Sequence, residues 1–72
     1  MPTLNVIGCG RAGRTLARVF HASHAFELQD LYDTNPAAAR ACARFADAGQ
    51  PVRRLEDLRP AQVWLIATPD DA

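Results

Sequence analysis

The hydrophobic residues of this chain follow two alternating periods. Short apolar or alternating runs predict β-strands, and apolar residues spaced three and four apart predict helices between them. One further helical turn is expected at residues 55–58. Alternation of strands and helices predicts a parallel sheet with right-handed crossover connections. The predicted strands cover residues 3–7, 26–32, 51–53 and 63–67, and the predicted helices cover residues 12–20 and 36–47.

The helical spacing also predicts which face of each helix is buried. Asn35 and Pro36 have the residue types of a helix N-cap and first helical position, and Gly49 is typical of a helix end. Asp30 is unusual inside a buried strand, and pairing with an arginine would explain it. The expected core positions are Ala12, Leu16, Val19 and Phe20 on the first helix, and Ala38, Ala41, Cys42 and Phe45 on the second.

A glycine-rich turn joins the first predicted strand to the first predicted helix. Residues 8–13 read G-C-G-R-A-G, a G-x-G-x-x-G pattern that in this context is typical of dinucleotide-binding turns. Gly8 permits the tight turn, Gly10 lets a pyrophosphate approach the backbone, and Gly13 lets the helix pack closely. The amides at the helix N-terminus would bind the phosphates. The expected cofactor-binding residues of this turn are Gly8, Cys9, Gly10, Arg11, Ala12 and Gly13.

An acidic residue ends the second predicted strand. Asp33 follows Gly13 by 20 residues, where a carboxylate commonly accepts hydrogen bonds from the ribose hydroxyls. A carboxylate there repels a 2′-phosphate, so NAD is favoured over NADP. Thr34 and Asn35 are included in the expected site because they could line a phosphate pocket. The competing interpretation is that the glycines are only steric and that Asp33 only initiates a turn.

The loop after the fourth predicted strand is expected to approach the same ligand. Ligands of open parallel sheets bind beyond the carboxyl ends of the strands, where the strand order reverses. Thr68 and Pro69 are therefore predicted to contact the dinucleotide. The same residues, followed by Asp70 and Asp71, also have the pattern of a simple helix start.

Composition narrows the possible partners. The 72 residues include eight basic and eight acidic side chains, so the formal net charge is zero, which argues against nucleic acid or an anionic membrane as the main partner. Cys9 and Cys42 have neither a C-x-x-C nor a zinc-ligand spacing. Buried free thiols of this kind fit a reducing cytoplasm, and we expect a cytoplasmic protein. The longest apolar run, residues 63–67, is too short to span a bilayer.

Residues 4–13, 32–36 and 63–71 together resemble a bacterial group of Rossmann-like proteins that carry a C-terminal domain of unknown function. That group is related to pyrroline-5-carboxylate reductase and to deazaflavin-dependent NADP reductases. The resemblance implies a helical C-terminal domain that completes the active site and often dimerises. Relatives that use NADP often have Asn-Arg-Ser or Asn-Arg-Thr after the second strand, whereas this chain has Asp33-Thr34-Asn35.

The expected fold is a Rossmann-like three-layer α/β/α arrangement with strand order 3-2-1-4, the N-terminal half of a doubly wound fold. We expect residues 1–72 to be the N-terminal part of an NAD(P)-binding domain, with the substrate domain absent. The fourth strand would then be an exposed edge, and self-association through it is predicted. The missing C-terminal domain would be its natural partner.

Three functions remain open at this stage. The leading one is the cofactor-binding half of an NAD(P)-dependent oxidoreductase with an unknown substrate, so no catalytic residue and no metal ligand is named. The second is a binding or redox-sensing module without turnover, which the fold alone does not separate from an enzyme. A remote third is part of an S-adenosylmethionine-dependent methyltransferase, which the glycine spacing disfavours.

Overall fold

The computed structural model describes residues 1–67. Within them the order of elements is strand, helix, strand, helix, strand, 3₁₀ turn, strand. The expected third strand is shorter than predicted and begins one residue earlier. The elements are β1 (Thr3–Ile7), α1 (Arg11–Ala22), β2 (Glu27–Tyr32), α2 (Pro36–Ala46), β3 (Gln50–Pro51), the 3₁₀ turn (Leu55–Asp57) and β4 (Val63–Ile66).

The four strands form one parallel sheet. Its order is β3-β2-β1-β4, which confirms the predicted order 3-2-1-4 and the Rossmann-like α/β fold. β1 is central: Leu4 pairs with Leu28 of β2 on one side and with Val63 of β4 on the other. The carboxyl ends of β1, β2 and β4 therefore lie at the same edge of the sheet, next to the glycine-rich turn.

Small residues bring the two helices close to the sheet. α1 buries Gly13 and Ala17, and α2 buries three residues of which the largest is Cys42. Because these side chains are small, the helix axes approach the strands and each other closely. α1 and α2 pack against each other on one sheet face, so residues 1–67 form two of the three expected layers. The buried apolar core consists of Leu4, Val6, Cys9, Ala17, Leu28, Leu31, Ala39, Cys42 and Ala46.

The predicted buried faces of the helices were partly wrong. Leu16 and Val19 of α1 are 37% and 52% exposed, and Phe45 of α2 is 43% exposed. The face of α1 that contacts the sheet consists of Gly13 and Ala17. Only residues of that size fit between the helix and β1. Apolar spacing alone does not separate a sheet-facing stripe of small residues from a neighbouring stripe of larger ones.

The ends of α2 follow from local chemistry. The Asn35 side chain accepts a hydrogen bond from the Ala37 amide at 3.0 Å, as an N-cap does. The helix ends at Asp47, which has a left-handed backbone conformation with a φ of 59°. The sequence had indicated Gly49 as the residue that ends this helix. Gly49 also has a positive φ of 94°, and a Cβ there would lie 3.0 Å from Leu31 Cδ1. Glycine is therefore required at position 49 because the chain passes close to Leu31 of β2, and not because it ends the helix.

A polar network occupies the sheet face opposite the helices. β2 contains an irregularity that places Gln29 and Asp30 opposite Asn5 of β1, and the Asp30 amide donates to Asn5 Oδ1 at 3.1 Å. Asp30 is fully buried, and it pairs with the Arg59 side chain at 2.7 Å, which confirms the suspected arginine partner. The segment that leads into β4 is thereby fixed across the sheet.

β4 forms one edge of the sheet among the described residues. The side chains of Val63 and Leu65 pack towards the core, whereas Trp64 and Ile66 are 43% and 66% exposed. Among residues 1–67, one face of this apolar strand packs on the core and the other face is open. No helix among these residues is long and apolar enough to cross a membrane.

Candidate functional site

The glycine-rich turn leaves β1 with a backbone conformation that only glycine adopts easily. Gly8 has a φ of 101°, and its amide donates to the Tyr32 carbonyl oxygen at 2.8 Å. This bond ties the start of the turn to the last residue of β2. The turn is thus held at the carboxyl edge of the sheet, where ligands of such sheets bind.

Gly13 and Gly10 are required for different reasons. A Cβ added to Gly13 would overlap the carbonyl oxygen of Gly8 and would lie 3.4 Å from the Ala67 Cβ, so this position has no room for a side chain. A Cβ added to Gly10 would meet no atom within 4 Å. The turn is therefore closed on its inner side at Gly13 and open at Gly10, where a phosphate could approach the backbone.

The first turn of α1 has donor groups that no side chain caps. Gly10 is the N-cap residue and has no side chain to accept their hydrogen bonds, and the first turn contains no acidic residue. The amide groups at a helix N-terminus and the positive end of the helix dipole favour an anion. Arg11 and Ala12, the first two residues of α1, are exposed at this point.

Asp33 lies against the glycine-rich turn. Its Oδ2 accepts a hydrogen bond from the Cys9 amide at 2.8 Å, and its Oδ1 accepts one from the Asn35 amide at 2.8 Å. The second bond is the turn-initiating contact of the competing interpretation, and the first joins the acid to the glycine-rich turn. Each carboxylate oxygen retains further acceptor capacity, so both roles are compatible.

The remaining predicted residues near Asp33 are more peripheral. Thr34 and Asn35 lie at the surface, and the Asn35 side-chain oxygen caps α2. Thr68 and Pro69 lie outside the described residues. The last described residue before them, Ala67, donates its amide to the Ile7 carbonyl oxygen at 2.8 Å, so the chain leaves β4 directly beside the glycine-rich turn.

Two features of the site region had no signal in the sequence. The guanidinium carbons of Arg14 and Arg18 lie 5.9 Å and 4.7 Å from the centre of the Phe45 ring, so the exposed aromatic joins α1 to α2 through cation–π contacts. The Cys9 thiol donates to the Tyr32 carbonyl oxygen at 3.6 Å, which joins the turn to the end of β2 a second time. Neither pair could be predicted, because each joins residues of different elements with no characteristic spacing.

Three features of the site lie at one edge of the sheet: the open side of Gly10, the uncapped start of α1 and the carboxylate of Asp33. Strand order and turn together define the class of protein as a Rossmann-type dinucleotide-binding fold. Residues 3–72 match the GFO/IDH/MocA family model, described as an oxidoreductase family with an NAD-binding Rossmann fold, and the chain belongs to this family.

A solved structure has the same fold. It is described as a "putative NADP oxidoreductase" from Bacteroides fragilis and superposes with a TM-score of 0.83 at 20% sequence identity. The match covers 94% of this chain and 26% of the other, so this chain spans about a quarter of the length of that protein. At this identity the likeness demonstrates the fold alone. No curated protein matches the chain.

Proposed function

We propose that residues 8–13 and Asp33 bind the pyrophosphate and the adenosine ribose of NAD. The chain is the dinucleotide-binding part of an oxidoreductase, as its family indicates. The observation that carries the residue assignment is the 2.8 Å hydrogen bond from the Cys9 amide to Asp33, because it unites two motifs separated by more than twenty residues. A single binding site requires that its separate motifs lie side by side, and this hydrogen bond places the glycine-rich turn next to Asp33.

Each group has a distinct role in this proposal. The amides at the start of α1 bind the pyrophosphate, and the open side of Gly10 lets it approach. Asp33 accepts hydrogen bonds from the ribose hydroxyls, Thr34 and Asn35 border the ribose, and Thr68 and Pro69 border the middle of the dinucleotide. The bound cofactor supplies hydride transfer. The groups that bind and protonate the substrate lie outside this chain.

We further propose a preference for NAD over NADP. The Asp33 carboxylate lies against the turn, and its negative charge opposes a 2′-phosphate at the adjoining ribose. The residue that follows, Thr34, carries no positive charge to bind such a phosphate. The "NADP" of the similar solved structure belongs to that protein, whose identity with this chain is low.

The whole protein is proposed to be larger than residues 1–72 and to place its substrate site in a C-terminal domain. The resemblance to Rossmann-like proteins related to pyrroline-5-carboxylate reductase and deazaflavin-dependent NADP reductases supports this, as does the chain's coverage of only 26% of the matched structure. A cytoplasmic location is proposed from the two free thiols. The isolated chain is proposed to self-associate through β4, whose Trp64 and Ile66 are exposed.

The test of cofactor binding is a parallel titration of NADH and NADPH. Nicotinamide fluorescence and Trp64 quenching would report binding, and circular dichroism would confirm the fold. We expect NADH to bind at least about tenfold more tightly than NADPH, since one charge repulsion of about 1.4 kcal/mol is a factor of ten. Asp33→Asn should reduce this preference.

Asp47→Asn is the matched control for that substitution. Asp47 lies at the other end of α2 in a left-handed conformation that asparagine also adopts readily. It should leave both affinities unchanged. Tighter binding of NADPH by the unaltered chain would contradict the NAD preference, and absence of binding by a folded sample would contradict the site itself.

Light scattering over a concentration series would test self-association, which a monomer mass throughout would contradict.

A further inference from the structure

The outer side of the helical layer is strongly basic. α1 and α2 contain five of the eight arginines of the chain and no aspartate or glutamate, although the formal net charge of the whole chain is zero. All eight acidic residues therefore lie outside the two helices. Four of the helix arginines and one aromatic residue form a surface that we call the arginine face, which consists of Arg14, Arg18, Arg40, Arg44 and Phe45.

The arginine face is accessible and continuous across both helices. Its residues are exposed, except that Arg14 is half-buried. Arg40 and Arg44 are one helical turn apart, on the side of α2 opposite its buried residues. The guanidinium carbons of Arg14 and Arg18 lie over the Phe45 ring, so the part of the face on α1 joins the part on α2.

The charges of the arginine face have no acidic partner among residues 1–67. Both ion pairs found in this part of the chain lie outside α1 and α2. Arg14 and Arg18 are like charges four residues apart, and so are Arg40 and Arg44, and like charges at this spacing destabilise a helix. Anionic groups bound at this face would therefore relieve a repulsion that the isolated helices retain.

The apolar residues of this surface distinguish between two kinds of anionic partner. Val19 follows Arg18 on α1 and is exposed, as is Phe45. The phosphate backbone of a nucleic acid offers such side chains no apolar contact, and the two guanidinium groups over the Phe45 ring leave little room for a stacked base. Protein interfaces, in contrast, combine arginine and aromatic anchors with apolar contacts. These features favour a protein partner that carries carboxylates.

We propose that the arginine face binds an extended acidic segment of another protein. Each guanidinium group can hold a carboxylate through two parallel hydrogen bonds. Arg40 and Arg44 lie about 6 Å apart along the helix axis, and alternate side chains of an extended segment lie about 6.6 Å apart, so acidic residues at alternate positions match the two arginines. An apolar side chain on the same side of the segment contacts Phe45. The arginine face does not overlap the proposed cofactor-binding residues.

The first measurement is the fluorescence anisotropy of a labelled peptide titrated with the unaltered chain. Glutamates and one leucine occupy the alternate positions of the peptide, and serine fills the positions between them. We expect saturable binding that weakens as the salt is raised to physiological strength, where the Debye length is about 8 Å. The same peptide with serine in place of leucine should bind more weakly, and equal binding would overturn the contact with Phe45. Absence of binding at low salt would overturn the whole proposal.

Two charge-matched variants test the location of the binding surface. Arg40→Gln with Arg44→Gln removes two charges from the arginine face, whereas Arg53→Gln with Arg54→Gln removes two exposed charges from the segment after β3. We expect the first variant to bind the peptide about fivefold more weakly, the scale of two exposed charge contacts, and the second to bind it like the unaltered chain. Circular dichroism would confirm that both variants fold.

Two outcomes of these titrations would overturn the proposal. Equal losses of affinity in the two variants would mean that the peptide responds only to overall charge. A labelled single-stranded DNA with the same number of charges is the alternative anion, and tighter binding of that DNA than of the peptide would overturn the assignment to a protein partner.

Discussion

Replacement of Asp30 by asparagine tests whether the buried polar network holds the chain across the open sheet face. The Asp30 carboxylate is fully buried and accepts three hydrogen bonds from Arg59: from the backbone amide at 2.8 Å, from Nε at 3.1 Å and from Nη2 at 2.7 Å. These contacts hold the residues that precede β4 against β1 and β2. Asparagine has nearly the same shape, so the substitution changes the charge and one acceptor but not the packing.

The expected change in the free energy of unfolding follows from those three hydrogen bonds. The asparagine side chain would still present one oxygen to the Arg59 donors, but its NH2 group would replace the other oxygen. At that position two hydrogen-bond donors would face each other, and one buried hydrogen bond would be lost. Loss of a hydrogen bond to a charged group costs about 1.5–3 kcal/mol. The Arg59 side chain is 62% exposed, so water can solvate the released guanidinium and the upper part of this range is discounted. We expect Asp30→Asn to lower the free energy of unfolding by about 2 kcal/mol.

Urea unfolding followed by circular dichroism and Trp64 fluorescence measures this change. The matched control is Asp57→Asn, which removes the exposed ion pair between Asp57 and Arg54, whose side chains are 38% and 67% exposed. That substitution should change the free energy of unfolding by less than about 0.5 kcal/mol. If the two variants lost equal stability, or if Asp30→Asn unfolded like the unaltered chain, the network would not fix the segment before β4.

Three other predictions follow from individual contacts. The hydrogen bonds from Arg59 lower the pKa of Asp30. The unaltered chain should therefore have its full stability advantage over Asp30→Asn above about pH 4, and this advantage should decline as the pH falls through the lowered pKa. Urea unfolding of both chains at several pH values would measure it. Gly13→Ala should lower the free energy of unfolding by about 3 kcal/mol because its Cβ overlaps the Gly8 carbonyl, whereas Gly10→Ala should cost under about 1 kcal/mol; equal losses would contradict this reasoning. Phe45→Leu should cost about 0.5–1 kcal/mol through its lost arginine contacts, and a thermal melt within error of the unaltered chain would refute their importance.

The strand order and the location of the turn could be predicted because their signals are local. β1 is followed by Gly8 and β2 by Asp33, which are residue types that end strands, and the glycines of residues 8–13 have fixed offsets that reflect fixed steric demands. The position of Asp33 is similarly constrained, since a helix and a strand of ordinary length separate it from the turn. The separation along the chain thus predicted which residues meet at the carboxyl edge of the sheet.

The helix faces and the polar network could not be predicted in the same way. Hydrophobic spacing gives α1 a plausible stripe through Leu16 and Val19, but the sheet accepts only the small face at Gly13 and Ala17. The partners of Asp30 lie 25 and 29 residues away along the chain, in Asn5 and Arg59. Contacts of that separation depend on the irregular pairing of β2, which has no periodic signature.

The geometry of the turn depends mainly on backbone groups, and this explains how the fold can be shared at low identity. The Gly8 amide bonds to the Tyr32 carbonyl, and the Ala67 amide bonds to the Ile7 carbonyl, so the two connections at the ligand edge require no particular side chain except glycine at the first position. Only the glycines and the carboxylate that receives the Cys9 amide are constrained by chemistry. Most other residues can therefore change while their size and burial are conserved, which accounts for a TM-score of 0.83 at 20% identity. By the same argument, substitutions at the turn glycines and at Asp33 should affect binding far more than substitutions elsewhere on the ligand edge.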